Sequence, residues 1–218
     1  MDHQFIHIPL DPAKTGEDLN TALIEIEQTI LQFLHRPIVS ASIGLVLSQP
    51  VYKVPEEILR DADIAMYRAK SNGKGRYEVF DPAMSERLSA RLQMETELKQ
   101  APENQALSVV YQPILALADQ KILSCEALAR WQHPERGMIP PSEFIPLAEE
   151  GGLIAALDMW VLRQACKQTW AWQKTIPGAA DLKVNVNLSD KHWAQTDLVD
   201  QITGILQETG LAPRTGWG

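Results

Sequence analysis

Cysteine is scarce in this chain. Only Cys125 and Cys166 occur among 218 residues. Neither has a CxxC partner, and each sits in an apolar-patterned segment. CxxC metal or redox chemistry is therefore out, and the reading is two buried free thiols in a reducing compartment. Positive charge is also short, with 20 Lys and Arg against 28 Asp and Glu, a net charge of -8. A sequence-independent grip on nucleic acid relies on basic side chains neutralising phosphates. No nucleic acid polymer is expected as a partner. An anionic substrate stays open if metal ions supply the positive charge. No apolar run approaches the ~20 residues of a membrane span. The start, "MDHQFIHIPLD", is acidic and lacks a charged-then-apolar leader. A cytoplasmic location is expected. There is no internal repeat and no low-complexity tract.

What is present suits a folded protein. Hydrophobic residues make up 45% and charged residues 22%, close to a globular average. A sizeable core fits in one large domain or two small ones.

Along the chain, residues 4–10 read as a strand. Leu19, Leu23, Ile26, Ile30 and Leu34 then fall on one helical face, opened by a capping box at Thr15 and Asp18 and closed before Pro37. "IVSASIGLVL" reads as a strand. "PEEILRDADIAMYRAKSNG" reads as a helix, with Pro55 in its first turn, a stripe of Ile58, Ala62, Ala65, Met66 and Ala69, and Gly73 at its end. "RYEVF" follows as a strand. Residues 83–101 carry a narrow stripe of Met84, Leu88 and Leu92 among charges. They predict a largely solvated connecting helix and a domain boundary. "LSVVYQPILAL" and "KILSCEALARW" read as strands joined by "ADQ", "HPERGMIPP" as a loop and "SEFIPLAEEGG" as a short helix. Residues 153–173 form a long helix, "LKVNVNLS" a strand, and 197–209 a helix. This alternation predicts a parallel or mostly parallel sheet.

Side chains alternate across a strand. Ser124, Glu126, Leu128 and Arg130 therefore share one face, and so do Lys183, Asn185 and Asn187. Gln112 is offset from Tyr111. Two explanations fit these polar rows. One is a sheet with a wet side. The other is a barrel or open sheet whose polar face lines a site at the strand ends. Glu and Asn are oxygen donors suited to Mg²⁺ or Mn²⁺, and Arg suits phosphate.

The blocks "YQPI", "EALARW", "HPERG", "EFIPLAEEGGLI" and "VNVNLS", in this order, resemble the first half of the EAL family of cyclic di-GMP phosphodiesterases. Upstream, "SASIGLV" and "DADIAMYRAKSNGKGRY" resemble the C-terminal half of the GGDEF diguanylate cyclase family. The resemblance implies an α/β chain. Residues 1–82 would be the end of a GGDEF domain of α+β nucleotidyl-cyclase type, 83–104 a connecting helix, and 105–218 the start of a (β/α)₈ TIM-like EAL barrel. It implies Glu126 and Asn187 as catalytic metal ligands for Mg²⁺ or Mn²⁺. Gln112 and Arg130 would contact cyclic di-GMP, Arg130 at a phosphate. Lys70 and Lys74 match basic positions for GTP phosphates, although charge at a helix C-terminus also explains them.

The resemblance has departures. The GGDEF signature would fall on Met1–Phe5, placing His3 and Gln4 where an acidic pair belongs. Beyond "GLAP", the residues "RTGWG" depart from the next expected strand. The expectation is a partial barrel with an unpaired edge, prone to homo-oligomerise and with little activity by itself. His133 and His192 lack metal-ligand spacing. Trp160 and Trp172 lie on a helix stripe and suit core packing. Three hypotheses follow: a phosphodiesterase, a non-catalytic module that binds the nucleotide through Gln112 and Arg130, and a structural fragment.

Overall fold

A computed structural model describes residues 41–47, 51–193 and 196–213. The strand at 4–10, the helix before Pro37, the Met1–Phe5 register with His3 and Gln4, and the "RTGWG" ending lie outside them. The chain divides into two compact units, 1–86 and 87–218.

In the first unit, β1 (Ile43–Leu45) and β2 (Tyr77–Val79) pair in parallel, connected through α1 (Pro55–Ser71). Pro55 opens α1 and Glu57 closes a capping interaction with the N–H of Lys53 at 2.7 Å. Ala65 and Ala69 of the expected stripe are buried, together with Asp61. The Asp61 carboxylate accepts from Tyr52 Oη and Arg60 Nε, both at 3.0 Å. Gly44 has a packing reason. A Cβ there would stand 2.0 Å from the Ala62 carbonyl oxygen and 2.4 Å from Met66 N, so the helix backbone can lie on the strand only if the strand has no side chain at that point.

The unit boundary falls within α2 (Pro82–Gln100). The expected stripe drifts: Leu92 is 54% exposed, whereas Met94, Leu98 and Ala101 are buried in the core of the second unit. The later turns of this helix are core rather than a solvated connection. At about 100° per residue, Leu98 and Met94 lie within about 80° of Met84 to one side, whereas Leu92 lies about 80° to the other side and falls off the buried face.

In the second unit, β3 (Leu107–Leu115), β4 (Ile122–His133) and β5 (Gly137–Ile139) form an antiparallel run, and β6 (Lys183–Val186) pairs in parallel with the start of β4. The sheet is mixed and largely antiparallel, which corrects the mostly parallel expectation. The connections decide this. Residues 116–121 and 134–136 are too short for a crossover, and short connections join only antiparallel neighbours. The loop expected at 133–141 contains β5, whose hairpin turns at Gly137 with φ 74°. Among the described residues of this unit, the one crossover is the return from β5 to β6 beside β4, through α3 (Pro141–Glu150) and α4 (Ile154–Thr175). A short helix, α5 (Asp190–Trp193), and α6 (Leu198–Thr209) follow. The four strands form an open sheet, not a closed barrel.

The core lies on one face of this sheet. Trp131, Ala127, Leu107 and Ile139 from the strands meet Phe144, Leu147, Leu157 and Val161 from α3 and α4. Trp160 packs at its margin, and the Trp172 ring stands edge-on to Tyr111 at 4.7 Å. Burial pushes the Tyr111 hydroxyl up to about 12. A second cluster, Met159, Cys166, Leu198 and Ile205, joins α4 to α6. Both cysteines are free and buried, and burial pushes the Cys166 thiol up to about 11. Among the described residues no helix is long and apolar enough to cross a membrane.

His133 is a structural residue. Its Nδ1 accepts the N–H groups of Glu135 and Arg136, both at 3.1 Å. Nε2 therefore carries the proton and donates to Glu97 at 2.9 Å. That bond, followed by one from Gln93, holds the Glu97 carboxyl below its ordinary value of 4.5. A depressed carboxyl adds stability above its unfolded value and loses it as pH falls through the folded one. Glu97→Gln is expected to flatten the fall of unfolding midpoint below about pH 4.5, checked by thermal melts in acidic buffers. Parallel curves for the two proteins would refute this account of the pair.

Candidate functional site

The face opposite the core carries the polar rows. In β3, Leu107, Val109 and Tyr111 face inward, so Gln112 faces out. In β4, Cys125, Ala127 and Trp131 are buried, whereas Glu126, Leu128 and Arg130 are half-buried on the other side. In β6, Val184 and Val186 pack on the core and Asn185 is exposed. Strand register then sets side chains beside one another. Gln112 pairs with Glu126 across β3 and β4, and Glu126 pairs with Asn185 across β4 and β6. The Glu126 carboxylate is thus flanked by two carboxamide residues at the distance of direct cross-strand neighbours, about 4.5–5.5 Å between Cβ atoms.

Asn187 completes the group. It lies one residue beyond β6, and its Nδ2 donates to Glu126 Oε1 at 2.7 Å. Asn185 Nδ2 reaches Ser124 Oγ at 3.4 Å, long for a hydrogen bond. The structure thus brings together Glu126, Asn187 and Gln112. Arg130 stands further along the same face, opposite Ser108, and its Nη1 turns back to the Ala129 carbonyl at 2.8 Å. Four residues of extended strand separate it from Glu126 by about 13 Å. Lys70 and Lys74 belong to the first unit. Lys70 is in the last turn of α1, and Lys74 follows with φ 60° in the turn toward β2.

Asn185 and Ser124 stand beside Glu126 and were not singled out by the sequence as site residues. The signal was there, since an Asn between two valines in a core strand has to face away from the core.

The donor chemistry suits a Mg²⁺ or Mn²⁺ ion, because Glu126, Asn185, Asn187 and Gln112 all offer oxygen. The number is the weak point. Only Glu126 is anionic, and Asn187 presents its N–H group to that carboxylate, so ligation by both requires the amide to turn its oxygen inward. Among the described residues no group of three or more His, Cys, Asp or Glu side chains is arranged to hold a metal ion. The residues fit part of a cation's shell.

The sheet that carries these residues belongs to a segment with known relatives. The EAL domain family matches residues 95–215, more than half of the chain and all of the sheet just described. The bifunctional diguanylate cyclase/cyclic di-GMP phosphodiesterase MucR of Pseudomonas aeruginosa is 37% identical over 205 residues, covering 94% of this chain and 29% of MucR. The cyclic di-GMP phosphodiesterase PdeR of Escherichia coli is 40% identical over 169 residues, covering 78% of this chain and 25% of PdeR. The chain thus spans under a third of the length of these curated relatives. Among solved structures, the PaMucR phosphodiesterase in complex with c-di-GMP is 39% identical, with a TM-score of 0.51, over 55% of this chain and 47% of that one. On the family match and the fold that accompanies it, the chain belongs to the EAL domain family.

Proposed function

We propose that the polar face of the second unit is a cyclic di-GMP site of the phosphodiesterase type. The observation that carries this reading is the convergence of Glu126 and Asn187 at 2.7 Å, flanked by Gln112. It is supported by a solved relative, 39% identical, whose structure is a complex with c-di-GMP. In this reading Glu126 and Asn187 hold a divalent cation, Gln112 contacts the dinucleotide and Arg130 meets a phosphate. Arg130 has to leave the Ala129 carbonyl to do so, a small cost against a charge-assisted bond to phosphate. A bound cation would neutralise charge on the phosphoryl oxygens and generate a nucleophilic water. The protein's own part is to orient the dinucleotide and supply oxygen ligands. The anionic ligand suits an acidic protein only through that cation.

The ligand count limits the 218-residue chain by itself. Mg²⁺ takes about six oxygen ligands and sheds water reluctantly, and one carboxylate with neighbouring amides binds it weakly. Incubated with cyclic di-GMP and Mn²⁺, the purified chain is expected to form negligible linear dinucleotide. Clear turnover abolished by Glu126→Ala would show that these donors suffice, or that a second copy completes the shell, and would overturn the ligand-count argument.

The proposal also assigns residues 1–82 to the end of a GGDEF domain, 83–104 to a connecting segment and 105–218 to the EAL part. Support comes from the MucR alignment. Its 205 residues must run well upstream of residue 95, and the name of that relative includes a diguanylate cyclase. Lys70 and Lys74 would then face GTP phosphates. GTP binding lost on Lys70→Ala and Lys74→Ala would support that role, and no binding by the unaltered chain would remove it.

A further inference from the structure

A buried acid lies behind the site, on the core side. Asp158 is in the second turn of α4 and only 7% exposed. Its Oδ2 accepts two bonds from one residue, the Ser189 N–H at 2.9 Å and the Ser189 hydroxyl at 2.8 Å. The same oxygen lies 3.4 Å from His192 Nδ1, and the His192 ring is fully buried. Ser189 in turn caps α5, its carbonyl accepting the N–H groups of His192 and Trp193 at 3.0 and 3.2 Å. Asn187 sits between the last residue of β6 and this anchored serine.

The chain leaving β6 has few ways to fix Asn187. The ladder with β4 ends at Val186, opposite Ala127. Beyond that point no strand pairing sets the direction of the Asn187 side chain, although that side chain meets Glu126. What holds the backbone two residues further on is the Asp158 carboxylate. We infer that Asp158 is a positioning residue for Asn187. It clamps Ser189 from α4, so that the Asn187 carboxamide is delivered to the Glu126 carboxylate on the opposite face of the sheet. Bonds from neutral donors to an ionised acceptor are the strong kind, and a buried carboxylate that loses them is costly. The clamp is therefore stiff. α4 also packs on β4, which carries Glu126, and on β6, which leads into Asn187. One rigid helix thus sets both sides of the Glu126–Asn187 pair. Outer partners that orient ligands are commonly worth ten- to a hundred-fold in metal affinity or activity.

The inference about ligand binding rests on the proposed function, but the positioning claim does not. The test uses the 218-residue chain and the side-chain NH₂ signals of Asn187 in a ¹H–¹⁵N spectrum, identified by their loss in Asn187→Asp. Asp158→Asn keeps size and one acceptor oxygen. Ser189→Ala keeps the backbone bond and removes the hydroxyl one. Either variant is expected to move the Asn187 NH₂ pair toward the position it takes in Glu126→Ala, while backbone signals of α6 stay put. A purely structural acid would lower the unfolding midpoint and leave that pair in place, and this result in both variants overturns the inference. Should Asp158→Asn fail to fold, Ser189→Ala decides alone. Cyclic di-GMP titrated with Mn²⁺ present is expected to bind Asp158→Asn about ten-fold more weakly than the unaltered chain. A moved NH₂ pair with no cyclic di-GMP binding by the unaltered chain would uphold the clamp and count against the functional reading.

Discussion

Trp131→Ala is expected to cost the second unit about 3–5 kcal/mol, the usual loss when a buried aromatic is truncated to alanine. Trp131 is 1% exposed and sits where three elements meet. It pairs with Leu107 of β3 and with Ile139 of β5. Its ring stands edge-on to Phe144 at 6.1 Å and to His133 at 5.6 Å. No neighbour is free to fill the space, because each is held by its own ladder or helix. The loss is read from chemical denaturation of the chain. A cost under about 1 kcal/mol would mean that the site collapses around the missing ring, and that the core is looser than the packing indicates.

The second large effect concerns the site. Asn187→Asp replaces an amide-to-carboxylate bond of 2.7 Å by two carboxylates at the same spot. Without a divalent cation the exchange forfeits a solvent-exposed bond, worth about 1 kcal/mol or less after screening, and adds like-charge repulsion, so the unfolding midpoint falls. With Mn²⁺ the order changes. A second anionic ligand raises affinity for a hard cation, and a ligand that binds only the folded state raises the midpoint with its concentration. The Mn²⁺-induced rise is therefore expected to be larger in Asn187→Asp than in the unaltered chain. Equal rises would show that the cation binds elsewhere.

Much of the second unit was legible because periodicity is a local signal. The alternation in "KVNVNLS" placed Val184 and Val186 inward and Asn185 outward, and the helix at 153–173 was bounded within two residues at each end. The parallel expectation was wrong because alternation of elements does not reveal which neighbours pair. The length of residues 116–121 does. The face of α2 was misjudged because Met84, Leu88 and Leu92 have a period of 4.0, which drifts off a 3.6-residue stripe. The candidate site was half legible. Glu126 and Asn187 stood out through a resemblance and a shared polar face. Asp158 did not, because an acid in "IAALDMWVL" is one letter in an apolar run. Its meaning lies in Ser189, 31 residues away.

The central claim is that cyclic di-GMP rests on the face of Glu126 and Asn187. Calorimetric titration of the 218-residue chain with cyclic di-GMP, in Mn²⁺, tests it most directly. The account predicts saturable binding that is lost in Glu126→Ala and weakened in Gln112→Ala, with both variants folded. Binding of equal strength in the Glu126→Ala protein, or none in the unaltered chain, would contradict it.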